Sequence, residues 1–262
     1  MEILGYIGAV IMGVVLGLTG GGGSILSVPI FVYLFSIPPT LATAYSLFVV
    51  GSIALIGAIQ NYRQEQVDIK TGIIFAMPAF TGVFCVRKFL IPQLPDQIVQ
   101  MSHFTLTRDM TIMVVFAIVM LFASVSMIKE KKTVEKANLS SGLRRVIIAV
   151  EGLMIGCVTG FVGAGGGFLI VPALVLLVGL DMKRAIGTSL MIIAVNSLIG
   201  FLGDLGHATI QWKFLISFMG LAALGILIGT NLSKKISAKK LKKAFGWFVL
   251  VMGIIILVGQ IK

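Results

Sequence analysis

Charge is scarce in this chain, and acidic charge scarcest of all. Of its 262 residues 12% are charged, 21 basic against 10 acidic, where soluble domains carry about 25%. With 58% hydrophobic residues and a mean hydropathy of +1.07, that shortage excludes an ordinary soluble fold and indicates an integral membrane protein. Cysteine and histidine are equally sparse. Cys85 and Cys157 have no CxxC or Cys/His spacing, which leaves a disulfide framework and a metal site unsupported; they read as small buried apolar side chains. The two histidines, His103 and His207, fall in polar gaps where a solvated imidazole is expected. No basic residue precedes Ile3-Leu4, so the N-terminus lacks the positive region of a cleaved signal and is expected to remain as the first helix.

What is abundant is glycine, and it is repeated. Leu18-Thr19-Gly20-Gly21-Gly22-Gly23-Ser24-Ile25-Leu26-Ser27-Val28-Pro29 has a second copy in Phe161-Val162-Gly163-Ala164-Gly165-Gly166-Gly167-Phe168-Leu169-Ile170-Val171-Pro172, 143 positions on. Six of the ten positions from Gly20 to Pro29 recur unchanged, and the register continues through Ala42/Ala185, Ser46-Leu47/Ser189-Leu190, Gly57/Gly200 and Gly82/Gly225. Two homologous halves follow, each built on one glycine loop.

Apolar stretches run at about 2–18, 39–59, 70–92 and 110–128, with a short piece at 25–36; the second half repeats the order at 146–160, a short 168–179, 184–203, 213–233 and 244–260. A bilayer needs about 20 apolar residues per helix, so the pieces after the glycines are half-length. The expected fold is all-α and polytopic, two inverted five-segment repeats with about eight full spans and two short or broken helices. Its domains are a first membrane repeat at 1–128, a basic cytoplasmic linker at 129–145 and a second repeat at 146–262. Orientation comes from the lysines and arginines, six in 129–145 and six in 234–243, which mark cytoplasmic loops. Five segments per half put 16 basic residues inside and five outside, the five being Arg87, Lys88, Arg108, Lys213 and Lys262. An odd number per half makes the halves antiparallel, the arrangement of secondary transporters with broken helices near the midplane.

Exposed backbone cannot face lipid, so glycine loops at membrane depth must be buried in protein or line a hydrated cavity. The N-termini of 25–36 and 168–179 then offer N–H groups and partial positive charge to an anion. The candidate substrate-binding residues are Gly20, Gly21, Gly22, Gly23 and Ser24 with Ser46 in the first half, and Gly163, Ala164, Gly165, Gly166 and Gly167 with Thr188, Ser189 and Asn196 in the second. Glycines at i, i+4 spacing, Gly13, Gly17 and Gly21 and again Gly225 and Gly229, read as helix-packing faces. Serines and threonines, Thr43 included, either donate to an oxyanion or bond their own helix. Asn196 needs a partner or ligand within an apolar span. Glu151 and Asp204 are candidates for proton coupling; the alternative is a charge snorkelling to the interface or paired with an arginine.

The doubled G-x-G-G-G-x-x-x-V-P block, the Ala185-Ile186-Gly187-Thr188-Ser189-Leu190 sequence and Asn196-Ser197-x-x-Gly200 resemble the sulfite exporter TauE/SafE family, also called TSUP, over nearly the whole chain. The resemblance implies transport of sulfite, sulfate, thiosulfate or an organosulfonate such as sulfoacetate across a prokaryotic inner membrane. The first half departs from the pattern, with Tyr45 opposite Thr188 and Ile53 opposite Asn196, which implies an asymmetric site. A passive anion or solute channel is the alternative. An intramembrane hydrolase would need GxSG with a membrane histidine, and Gly22-Gly23-Ser24 does not supply it. The expected partners are a small anion, membrane lipid, a coupling proton or sodium ion, and a second copy in a homodimer; no nucleic acid, cofactor, metal or enzymatic activity is expected.

Overall fold

The computed structural model describes residues 2–95, 97–101, 104–128, 141–205, 210–233 and 238–261. Residues 129–140 and 234–237, which hold much of the basic charge used to orient the chain, lie outside these, as do His103 and His207.

The chain is built almost wholly of helices: α1 (Glu2–Thr19), α2 (Ser24–Pro29), α3 (Pro39–Tyr62), α4 (Ile69–Cys85), α5 (Ile91–Gln93), α6 (Arg108–Ile128), α7 (Ser141–Val162), α8 (Gly167–Ala173), α9 (Met182–Asp204), α10 (Trp212–Leu232) and α11 (Ala238–Ile261). One feature was not anticipated, a small antiparallel hairpin of β1 (Gln97–Met101) and β2 (Phe104–Thr107). Wide π-type turns extend α2 through Ile30–Leu34, α4 through Val86–Leu90 and α8 through Leu174–Val178. Two of the three follow closely on a proline inside the helix, Pro29 and Pro172. Proline lacks an N–H and crowds the carbonyl four residues earlier, so the bonding slips to a wider register.

Helix starts are set by local chemistry. Pro39 occupies the first turn of α3, where its missing N–H costs nothing, and the Asp109 carboxylate accepts from the Thr40 N–H and hydroxyl. Asp68 caps α4 by accepting from Thr71 N–H at 2.9 Å, and Asp181 caps α9 by accepting from Arg184 N–H at 3.3 Å.

Among the described residues four helical stretches are long and apolar enough to cross a membrane, where about eight full spans were expected: Pro39–Tyr62, Ile69–Gln93, Met182–Asp204 and Trp212–Leu232. Shorter apolar helices accompany them at Ile3–Thr19, Ser24–Leu34, Val146–Val162 and Val249–Gly259. Large apolar side chains point outward along the helices, among them Ile3, Ile7 and Ile11 on α1 and Ile73 and Met77 on α4. So much exposed apolar surface suits lipid, and the chain is a multi-pass membrane protein. The same medium accounts for the cysteines. Expected to be buried, Cys85 and Cys157 are both exposed, because a small apolar thiol facing lipid loses nothing.

At the centre α3 packs on α9, with α1 against α10, α7 against α4, and α6 against α11. Burial marks the centre: 72% of the apolar stretch of α3 and of α9 is inside, against 39% for α4 and α10. Close approach depends on glycine. A Cβ at Gly13 would stand 2.1 Å from the Ala222 carbonyl oxygen, and one at Gly156, 143 positions on, 2.1 Å from that of Ala79. Gly225 and Gly82 repeat the relation against Val10 and Leu153, and Gly229 abuts the Val14 carbonyl. These glycines serve packing, as small residues do between membrane helices.

Candidate functional site

Both glycine loops begin as helix terminators. Gly20 and Gly163 have φ of +71° and +73°, and their N–H groups each donate at 2.8 Å to the carbonyl four residues back, of Leu16 and Thr159. A left-handed glycine here lets α1 and α7 end without the strain a side chain would bring. The chain then turns back. A Cβ at Gly23 would lie 2.3 Å from the Met12 oxygen, and one at Gly5 would lie 2.3 Å from the Phe35 ring, so the helix from Ser24 returns along α1 and ends beside its start.

The two loops meet. Gly21 and Gly167 touch through their backbones: a Cβ on Gly21 would fall 2.2 Å from the Gly167 carbonyl carbon, and one on Gly167 would fall 2.4 Å from Gly21 Cα. Gly20 packs on Ile186 and Ser189 near the start of α9, while Gly163 packs on Thr43 near the start of α3. Of the expected site residues, Gly20 and Ser189 are thus brought together, and Gly21 is brought to Gly167.

The hydroxyls around the first loop are bonded from within. The Thr19 hydroxyl donates to the Val15 carbonyl and accepts from Gly22 N–H, both at 2.8 Å. Ser24 donates to the Gly21 carbonyl, Ser27 to that of Ser24, and Ser27 and Ser46 share a bond of 2.5 Å. Ser189 donates to the carbonyls of Gly20 and Ile186. Thr188 is engaged elsewhere. Its hydroxyl accepts from Asp68 N–H at 2.9 Å, and Tyr45, its counterpart in the first half, accepts from Gln211 N–H at 2.8 Å. Asp68 and Gln211 are themselves 143 positions apart, so the two unlike hydroxyls tie down equivalent chain segments. The mismatch of Tyr45 with Thr188, expected to make a binding site asymmetric, places unlike hydroxyls on equivalent chain segments.

The second loop is different. Buried side-chain atoms without a hydrogen-bond partner among the described residues include Nε and Nη2 of Arg87, Oγ1 of Thr159, Oγ of Ser197, Oδ1 of Asn196 and Oε2 of Glu151. Three of these residues touch the loop. Nη2 of Arg87 lies 2.6 Å from where a Gly163 Cβ would be, Ser197 Oγ 3.2 Å from that of Gly165, and Thr159 Oγ1 2.1 Å from that of Gly166. Gly165 and Gly166 have φ of +66° and +67°. Asn196 is buried next to Ser197 on α9. Glu151 lies on α7 three turns before the loop and is not brought to it.

Arg87 is the residue the sequence reading missed. Counted there among the outside loop cations, it is 1% exposed, on the π-type turn that extends α4, with Nη1 donating to Thr43 Oγ1 at 3.1 Å and to Asp204 Oδ2 at 3.2 Å. Asp204 is therefore paired with an arginine, one of its two expected alternatives. The local signal was slight, since Arg87-Lys88 at the end of an apolar run reads like any interfacial basic pair.

A 310 Å³ cavity lined by Phe35, Ser36, Pro38, Leu41, Tyr45 and Phe214, among others, opens where the returning helix joins α3.

Lipid-facing helices around a core where two helix-breaking loops meet define a polytopic membrane protein of transporter type. The chain belongs to the sulfite exporter TauE/SafE family, whose pattern it matches over residues 6–256. It is 28% identical over 252 residues to a probable membrane transporter protein of Xylella fastidiosa (strain 9a5c), covering 94% of this chain and 91% of that one. It is similar also to the probable membrane transporter protein YdhB of Bacillus subtilis (strain 168), at 26% over 232 residues, 87% of this chain and 90% of the relative. A probable membrane transporter protein of Methanocaldococcus jannaschii, MJ0441, is 30% identical over 115 residues, 41% of this chain and 43% of that one. No solved structure matches the chain.

Proposed function

We propose that this protein is a secondary transporter that moves a small sulfur-containing anion, such as sulfite, sulfate, thiosulfate or the organosulfonate sulfoacetate, across a prokaryotic cytoplasmic membrane. The observation that carries the reading is the meeting of the two glycine loops, Gly21 against Gly167, at the starts of the two short helices α2 and α8. Irregular backbone at membrane depth is tolerated where it is buried in protein or lines a hydrated path, and both loops are buried here. Two oppositely oriented halves, 1–128 and 146–262, joined by the basic segment 129–145, would alternate access around it. The pairing of helices supports that arrangement: α1 on α10 and α7 on α4 are the same contact under the 143-residue offset. Glu151, with a buried Oε2 lacking a partner among the described residues, is the candidate for carrying a coupling proton.

Purified protein in proteoliposomes is expected to take up radiolabelled sulfite, sulfate, thiosulfate or sulfoacetate saturably, and to exchange labelled for unlabelled anion. A ligand at 100 times its Kd should also raise stability by about 2.7 kcal/mol. Linear, non-exchanging flux would assign a channel instead, and no flux of any of the four anions would refute the substrate class.

A further inference from the structure

We infer that Arg87 is the cationic ligand of the transported anion, and that it recognises an oxyanion through the free edge of its guanidinium, Nε with Nη2, against the second glycine loop. The inference rests on the transporter reading above and adds to it the residue and the chemistry.

The guanidinium has two usable edges on this side chain, and the fold uses one. Nη1 is committed to Thr43 Oγ1 and Asp204 Oδ2, and Thr43 is fixed in turn by donating to the Thr40 carbonyl at 2.7 Å. Nε and Nη2 have no partner among the described residues although the side chain is 1% exposed. Their two N–H groups point the same way and form the planar fork that matches two oxygens of a sulfite, sulfate or sulfonate head. Burying charged donors unpaired is costly, and a purely structural pair with Asp204 would not require it. A charged group buried within the helices of a membrane protein is a functional-site candidate by default.

The surroundings fit an oxyanion. Nη2 stands 2.6 Å from where a Cβ of Gly163 would be, so glycine at that position keeps the loop backbone beside the fork. Two more unpartnered hydroxyls, of Ser197 and Thr159, sit against Gly165 and Gly166 of the same loop. All three can donate, as an acceptor-rich anion requires. The first loop has no such set, because its hydroxyls are bonded to its own backbone and to one another. The position equivalent to Arg87 in the second half is Thr230, whose hydroxyl bonds to the side chain of Gln60. Of the two equivalent positions only Arg87 offers the fork, so the site is asymmetric although the backbone is doubled.

Sulfite and chloride binding to the purified full chain, with sulfite uptake in proteoliposomes, tests this. Arg87→Lys keeps a charge for Asp204 and loses the fork; it is expected to melt near wild type and to lower the ratio of sulfite to chloride affinity by about tenfold or more, since a single-atom anion cannot use two parallel donors. Should that variant not fold, Arg87→Gln with Asp204→Asn removes both charges together and is expected to abolish sulfite binding while remaining folded. Folded variants of either kind that bind sulfite as wild type does would overturn the role of Arg87 and leave the transporter reading intact. A wild-type protein that transports none of the four anions would refute both.

Discussion

Alanine in place of Gly13 should unseat α1 from α10, and alanine at Gly156 should unseat α7 from α4 by the same amount. At both positions the added Cβ would stand 2.1 Å from a carbonyl oxygen, of Ala222 or Ala79, where ordinary contact begins at 3.4 Å. The shortfall of about 1.3 Å is against helix backbone, which no rotamer change relieves, so the helices must part along the whole seam. Overpacking costs about 1–3 kcal/mol, and a backbone clash belongs at the upper end; replacing glycine in a helix returns about 1 kcal/mol. The net is about 2 kcal/mol for each, a fall in melting temperature of roughly 4–8 °C for a chain of this size. The two seams share no partner, so the double variant should show about the sum. Thermal unfolding in a mild detergent measures this, with Gly220→Ala as the control, since nothing lies within 4 Å of its added Cβ. If Gly13→Ala and Gly156→Ala melt no lower than Gly220→Ala, the close seams are not what holds these helices. If one falls far more than the other, the two seams are not energetic equivalents.

With Arg87 buried and set aside, the charge count of 16 inside to four outside predicts that single cysteines at positions 132 and 240, in a background lacking Cys85 and Cys157, are shielded from a membrane-impermeant reagent added to intact cells, whereas position 262 is labelled; equal labelling of all three would overturn the inverted arrangement. Asn196→Leu should abolish transport with little loss of stability, because the buried Oδ1 has no partner among the described residues to lose; a collapse in melting temperature would assign Asn196 to packing instead. Gly165→Val places a branched side chain at a φ of +66° and 2.8 Å from Val50, beside the Ser197 hydroxyl, and should weaken sulfite binding by tenfold or more where the protein is still folded. Gly22→Val alters the loop whose hydroxyls are already satisfied and should weaken it less; the reverse order would move the site to the first loop.

Much of this was legible in the chain itself. The half-helices after each glycine run, the prolines within them and the packing role of Gly13, Gly17, Gly225 and Gly229 were all readable, because they depend on side-chain size and backbone freedom within a few residues. The hairpin of β1 and β2 was not, since Gln97–Met101 does not alternate and the alternation of Phe104–Thr107 is only four residues long. Lipid exposure of Cys85 and Cys157 was missed for a physical reason: in a membrane protein an apolar residue is at home on either side of a helix, so hydrophobicity no longer reports burial. The hydroxyls were the hardest to assign. Ser189 and Thr188 are adjacent in sequence, yet one bonds to Gly20 and the other to the segment before α4, because successive residues on a helix point about 100° apart.

By itself the sequence determined the class of protein, the family and the doubled glycine block, since composition, period and the glycine and proline chemistry act locally and survive without knowledge of neighbours. Only the tertiary structure decided which loop carries unsatisfied polar groups and which cation packs against it. Arg87 and Asp204 are 117 positions apart, and Thr43 and Gly163 belong to different halves. Whether a charged side chain at the end of an apolar run reaches water or is sealed in depends on which helices pack over it, here α9 and the loop after α7. That is a property of the assembled helices, and no residue near Arg87 in the chain records it.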